Sequence, residues 1–265
     1  MVSDMRFKLQ AWCAVVATLP LSLYAMADDS DANKSNNPLN LAPGLNIQDY
    51  YTPKIYDTNV HTNDLLLRGT LPVAPNDLIG VPQLLRVTAP LSTRPDPSGG
   101  YTTGVGDLNL FDIFLLKTDG VQLGIGPQIT APTASHDELG TGKWQGGLAA
   151  VAIDSSPKGL LGALIQYSTS FAGDRDRQHV ETATFQPFII HNLPGGWYVR
   201  STATWSFDLA NNSHYIPLGL GMGKAWKSNG NIFNAFVEPQ WTVDHKGEGV
   251  PQMTLFAGIN MTFGK

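Results

Sequence analysis

Cysteine is almost absent: the 265 residues hold one, Cys13. It falls in an apolar stretch near the start, so no disulfide can brace the rest of the chain. Charge is sparse as well, at 15% of residues with a net of −5, and no basic run stands out. Such a balance argues against a nucleic-acid partner. Beyond residue 27 no apolar run reaches the roughly 18 residues that a membrane-spanning helix needs. That leaves membrane strands open, because their signal is only about ten alternating residues each. No long segment repeats with a helical period, so the chain reads as all-β.

What is present begins with an address. Arg6 and Lys8 precede an apolar segment (9–23), and Ala25-Met26-Ala27 offers a small-x-small cleavage site, so residues 1–27 read as a secretory signal peptide. Trp12 stands before Cys13 where a lipoprotein would need a small residue. Residues 28–45, rich in Asp, Asn and Pro, read as an extended periplasmic arm or plug, and residues 46–265 as the folded domain.

The 27 glycines and 18 prolines are scattered, as many short strands with turns require. Strands are predicted near 46–56, 64–74, 80–91, 104–117, 121–132, 145–154, 159–171, 182–193, 196–207, 214–226, 231–243 and 251–263. Their connections alternate. Short turns (APND, TDG, SSPKG, LPGG, KSNG) take turns with longer loops, and both chain ends lie on the short-turn side. Sorting loops by length is what a transmembrane antiparallel up-and-down β-barrel does, here one of about 12 strands, with short turns and termini in the periplasm.

The faces agree. In the last strand Leu255, Ala257, Ile259, Met261 and Phe263 alternate with Phe256, Gly258, Asn260 and Thr262, an oily side for lipid against a polar side for a lumen. Phe256 departs from that rule, and Gly264-Lys265 extend past the terminal aromatic of an outer-membrane assembly signal. In 104–117 Asp107 and Asp112 fall on opposite faces, which breaks the alternation. Trp144, Trp197, Trp205, Trp226 and Trp241 sit near strand ends, where aromatic girdles belong.

By the same parity Arg68, Arg86, Arg200 and Glu238 point inward with Gln122, Gln128, Gln166, Gln186 and Gln240. Inward arginines select anions or bind an acid group; alternatively they fill a narrow lumen as a satisfied salt-bridge network. His136, Asp137, Glu138, Lys143 and Trp144 gather in one outer loop, at the mouth or folded in as a constriction. Asp137 and Glu138 lack the spacing of a calcium loop, so no metal is expected there. A lipid hydrolase is the least favoured reading: no Gly-x-Ser-x-Gly elbow occurs, although Ser168, Ser170, Ser206 and Ser213 lie within reach of some of His136, His179, His191 and His214.

Several blocks in series carry a family resemblance: GVGDLNLF (104–111), GIGPQITAPTASHDELGTGKWQGGLAAV (124–151), GALIQYSTSFAGD (162–174), QPFIIHNLPGGWYV (186–199) and PLGLGMGKAW (217–226). Together they resemble the bacterial outer-membrane family named for the MetA pathway of phenol degradation, from about residue 64 to the end. The resemblance implies a transporter-like barrel in a Gram-negative outer membrane. With the two-faced strands it leads to the expectation of a channel for small hydrophobic or aromatic molecules. Its partners would be outer-membrane lipid, lipopolysaccharide, the assembly machinery acting on the last strand and the solute itself, without a cofactor and without enzymatic activity. The alternative is a non-conducting structural or surface-interaction barrel, plugged by residues 28–56.

Overall fold

A computed structural model describes residues 29–264; the signal-peptide reading and Cys13 lie outside them. One helix, α1 (Asp29–Asn36), leads into β1 (Gly44–Ile55), β2 (Thr62–Val73), β3 (Gln83–Pro95), β4 (Tyr101–Val105), β5 (Leu108–Lys117), β6 (Val121–Ala131), β7 (Lys143–Ser156) and β8 (Gly159–Gly173). There follow β9 (Glu181–Asn192), β10 (Trp197–Ser201), β11 (Trp205–Asp208), β12 (Ser213–Gly219), β13 (Gly221–Ser228), β14 (Asn231–Lys246) and β15 (Pro251–Thr262). The pairs β4/β5, β10/β11 and β12/β13 are each one stave with a local break, which makes a closed antiparallel barrel of 12 strands. Closure comes from β15, which pairs with β14 on one side and β1 on the other. The all-β barrel expected from the alternation is the fold.

Period-two patterning explains the wall. Leu45, Ile47, Leu67, Leu148, Ile165, Ile189, Val237 and Ile259 all face outward and are exposed, forming an apolar belt. Trp197, Trp226 and Phe233 lie toward its short-turn edge, with Trp226 stacked on Phe233 (5.7 Å). Trp144, Trp241 and Phe171 lie toward the opposite edge. The inward face of the half nearer the short turns is also apolar: Ile113, Leu115, Val151, Ile153, Leu164, Phe188 and Ile190 form a buried cluster there.

Three local readings change. Residues 29–36, expected to be extended, are helical, because their polar side chains find partners inside the barrel rather than in water. The strand expected at 104–117 is broken at Gly106-Asp107, where the Asp107 carboxylate leaves the ladder and accepts from Ala134 N (3.2 Å), Thr141 N (2.7 Å) and Thr141 Oγ1 (3.0 Å). Asp107 therefore lies in the break between β4 and β5, and only Asp112 belongs to a strand, so their opposite parity is no conflict of faces. Loop sorting by length is weaker than read: β3 starts only after Pro82, so 74–82 is long on the short-turn side. In addition, β12 begins at Ser213 and β14 runs on to Lys246, so the outer connections 209–212 and 247–250 are short.

Candidate functional site

The lumen is the candidate site, and it has two storeys. The outer storey is a vestibule of about 610 Å³, lined among others by Asp64, Arg68, Arg94, Gln166, Gln186 and Tyr215. Tyr50, Arg68 and Gln186 also line a smaller chamber of about 100 Å³ beneath it, so the two adjoin at these side chains. The chamber's floor is residues 35–38, the end of α1 and the two residues that follow it.

Below that floor the N-terminal segment fills the barrel. Ala32 and Leu39 are fully buried in the apolar cluster. Around them polar side chains tie the segment to five staves. Asn33 donates to the Ser156 carbonyl (2.7 Å) and accepts from Asn192 (2.9 Å). Asn37 donates to Gln122 (2.6 Å), Asn234 donates to Ser35 (3.0 Å), and buried Asp31 pairs with Lys227 (2.9 Å). The sequence hinted at this seat: GLLGALI (159–165) is apolar on both faces, which a strand between lipid and water would not be.

The predicted inward residues divide into three groups. Arg200 and Glu238 form a buried pair in the wall, 7% and 0% exposed, with Arg200 Nε donating to Glu238 Oε2 at 2.7 Å. Glu238 also accepts from Thr202 N (2.7 Å), Thr202 Oγ1 (2.7 Å) and Gln240 Nε2 (3.2 Å). The Arg200 guanidinium lies 3.8 Å above the Phe236 ring. This knot sits where the wall itself opens: no backbone pairs join the staves between Arg200↔Gly221 and Ser206↔Tyr215. Pro217 has no N–H to offer there, and Gly219 and Gly221 leave the space that Glu238 fills; a Cβ at 219 would lie 2.2 Å from Glu238 Oε1. The carboxylate thus replaces a missing ladder partner for Thr202 N–H.

Arg68 and Arg86 make up the second group, open to the chamber. Arg68 donates to Gln48 Oε1 (2.5 Å) and Arg86 to Thr70 Oγ1 (3.2 Å), with Arg86 5.0 Å over the Phe111 ring. The glutamines are the third. Gln166 donates to Gln128 (2.8 Å), and Gln186 to the Thr202 carbonyl (3.0 Å). Gln122 and Gln240 belong to the knots already described. Sequence parity missed the role of Phe256. It is inward and buried, stacked on Tyr50 at 4.1 Å and edge-on to Phe236 at 4.8 Å, which accounts for an aromatic in a polar column.

The outer-loop group is dispersed. The turn Asp137–Leu139 folds against the inner wall at β3 and β4, with Leu139 buried beside Gly104. His136 Nδ1 meets Ser135 Oγ (3.1 Å), and Arg177 from the next loop donates to the carbonyls of Asp137 (2.8 Å) and Gly140 (2.5 Å). Lys143 reaches the Asp174 carbonyl, while Trp144, the second residue of β7, faces outward. Glu138 is exposed. Among the described residues no three His, Cys, Asp or Glu side chains gather as metal ligands. Ser170 Oγ is 2.8 Å from His179 Nδ1, but the other ring nitrogen faces Thr169 (3.4 Å) rather than a carboxylate.

No known family pattern matches the chain, and no curated protein matches it in sequence. Its fold is that of outer-membrane barrels. It is similar to the COG4313 outer membrane channel from Pseudomonas putida F1 (TM-score 0.64, 12% identity, covering 86% of this chain and 98% of that one). More distant are a KdgM porin in complex with disordered oligogalacturonate (TM-score 0.44, 10% identity, 83% and 99%) and the outer membrane phospholipase A from Escherichia coli (TM-score 0.41, 12% identity, 88% and 98%). These two are too remote to bear on function.

Proposed function

We propose that this protein is an outer-membrane channel for small hydrophobic or aromatic molecules, with its termini and short turns in the periplasm. The carrying observation is the two-storey lumen. A polar vestibule opens onto an apolar inner half whose seat is taken by Ala32 and Leu39 of the chain's own N-terminal segment. A segment with a polar surface and two apolar contacts holds that seat by hydrogen bonds, and a solute could follow the same apolar path once it withdraws. The belt of outward Leu, Ile and Val supports the membrane setting, and β15 with Phe263 is the strand offered to the assembly machinery. The likeness to the COG4313 channel and the sequence resemblance to the MetA-pathway family point the same way.

The test is a lock. Asn33 and Ser155 touch (3.4 Å), and the chain beyond residue 27 has no cysteine, so Asn33→Cys with Ser155→Cys can form a clean crosslink. Reduced protein should conduct in planar bilayers and oxidised protein should not; equal conductance in both states would remove the N-terminal path.

The second reading, a non-conducting structural barrel, is favoured by the density of bonds on residues 31–37. Protease added to intact vesicles tells the two apart, since a permanent plug stays protected. For a lipid hydrolase, phospholipid turnover abolished by His179→Ala is the required sign.

A further inference from the structure

The chamber above the plug has an unbalanced charge. Three arginines line it, Arg68, Arg86 and Arg200, and only Arg200 is neutralised, by Glu238. At the vestibule rim Arg94 is neutralised by Asp64 (2.8 Å). Among the described residues neither Arg68 nor Arg86 pairs with a carboxylate; their partners are the neutral oxygens of Gln48 and Thr70. The two sit on adjacent strands, with Arg68 opposite Thr88 and Arg86 opposite Thr70, so their side chains are diagonal neighbours on the inward face. Two like charges held side by side in a narrow lumen repel each other, and glutamine and threonine do nothing to cancel that. A guanidinium keeps its charge at every physiological pH and presents a planar fork of donors. Arg86 uses one nitrogen of its fork on Thr70, and Arg68 gives one to Gln48 and stands beside the Tyr50 hydroxyl.

The opposite wall is apolar, made by Leu164, Phe188 and Ile190, and the stacked rings of Tyr50 and Phe256 close one side. At about 100 Å³ the chamber is smaller than the roughly 150 Å³ cavity that accommodates a benzene ring. A carboxylate fits, with an aromatic body reaching past Tyr50 and Gln186 into the vestibule. We propose that Arg68 and Arg86 together form a binding subsite for a small monocarboxylate with an apolar, aromatic body. The inference rests on the reading of the lumen as a solute path and narrows its substrate class. Carboxylate–arginine forks supply the recognition, and the stacked rings of Tyr50 and Phe256 stand beside the arginines for an aromatic body.

The probe is benzoate, titrated calorimetrically into the refolded mature chain in detergent, with benzyl alcohol as its uncharged counterpart. Benzoate should bind and benzyl alcohol should bind at least about tenfold more weakly, the factor that one charge-assisted hydrogen bond supplies. Arg68→Gln and Arg86→Gln should each weaken benzoate by about tenfold or more. Arg68→Lys should lose an intermediate amount, keeping the charge without the fork. Arg175→Gln, which removes a positive charge from an exposed outer loop, should change nothing. Removing one of two repelling charges does not threaten folding, and heat-modifiable migration on a gel verifies it for each variant. Benzoate binding no tighter than benzyl alcohol, or equally tight in both glutamine variants, overturns the subsite. Bilayer conductance of the same preparations separates the two claims: arginine-dependent binding in a protein that never conducts keeps the subsite and removes the channel, and conductance without benzoate binding does the opposite.

Discussion

Replacing Glu238 by glutamine asks the most of the wall. The side chain is fully buried and accepts four hydrogen bonds, three of them at 2.7 Å, from Arg200, Thr202 N and Thr202 Oγ1. Glutamine has the same shape but one fewer acceptor, and its NH₂ faces donors on at least one side. Arg200, 7% exposed, then keeps its charge with no counter-charge. Removing one member of a buried pair costs about 3–5 kcal/mol. Adding up the bonds singly at about 1.5–3 kcal/mol each would overshoot, because burying the intact pair already carried a desolvation penalty that offsets part of the gain. The double change Arg200→Met with Glu238→Leu removes both charges and leaves chiefly the Thr202 N–H without its partner, a cost of about 1–3 kcal/mol. The double variant should therefore be more stable than the single one. Unfolding by denaturant in lipid vesicles, followed by tryptophan fluorescence, measures both. A Glu238→Gln protein within about 1 kcal/mol of wild type would refute the view that this carboxylate completes the wall.

Phe256→Ala removes the ring stacked between Tyr50 and Phe236, and should cost about 3–5 kcal/mol in the same unfolding assay. Gly221→Ala places a Cβ 2.4 Å from the Val237 carbonyl and 2.6 Å from Glu238 Cβ, so overpacking of about 1–3 kcal/mol is expected, with Gly230→Ala, φ +79° but in open space, as a comparison of backbone strain alone. Asp107→Ala frees the 132–142 loop from its three anchors, and limited proteolysis should then cut that loop while the barrel still shows its heat-modifiable migration. In the 96–100 connection Asp96 is held below the ordinary carboxylate range by the Ser98 hydroxyl first, then by Ser98 N and Thr102 Oγ1. A depressed acid stabilises its loop above the unfolded value near 3.9 and loses that contribution as pH falls through the folded value. An NMR titration should place Asp96 below free aspartate, and Ser98→Ala should raise it.

The wall was written in the chain itself. Alternation in 121–131, 196–207, 232–241 and 255–263 assigns faces without any partner in view, because a strand separates odd from even residues by geometry alone. Turn chemistry separates the strands, and twelve staves follow from counting them. The same parity places Arg68, Arg86, Arg200 and Glu238 on one face. It says nothing about which of them meet, since register and closure are set by pairing across the sheet. Only the pairing of β10 with β13 and of β13 with β14 brings Arg200 to Glu238, while Arg68 and Arg86 are left with neutral partners. The helix at 29–36 was out of reach for a related reason. Its eight residues, DSDANKSN, have little amphipathic character and would not stay helical alone in water. Asn192, Asn234 and Lys227 hold it together with the apolar seat around Leu39, and those three lie more than a hundred residues away in the chain. Local sequence determines which way a strand's side chains face; the contents of the lumen are decided by residues far apart in the chain that meet only when the staves pair into one barrel.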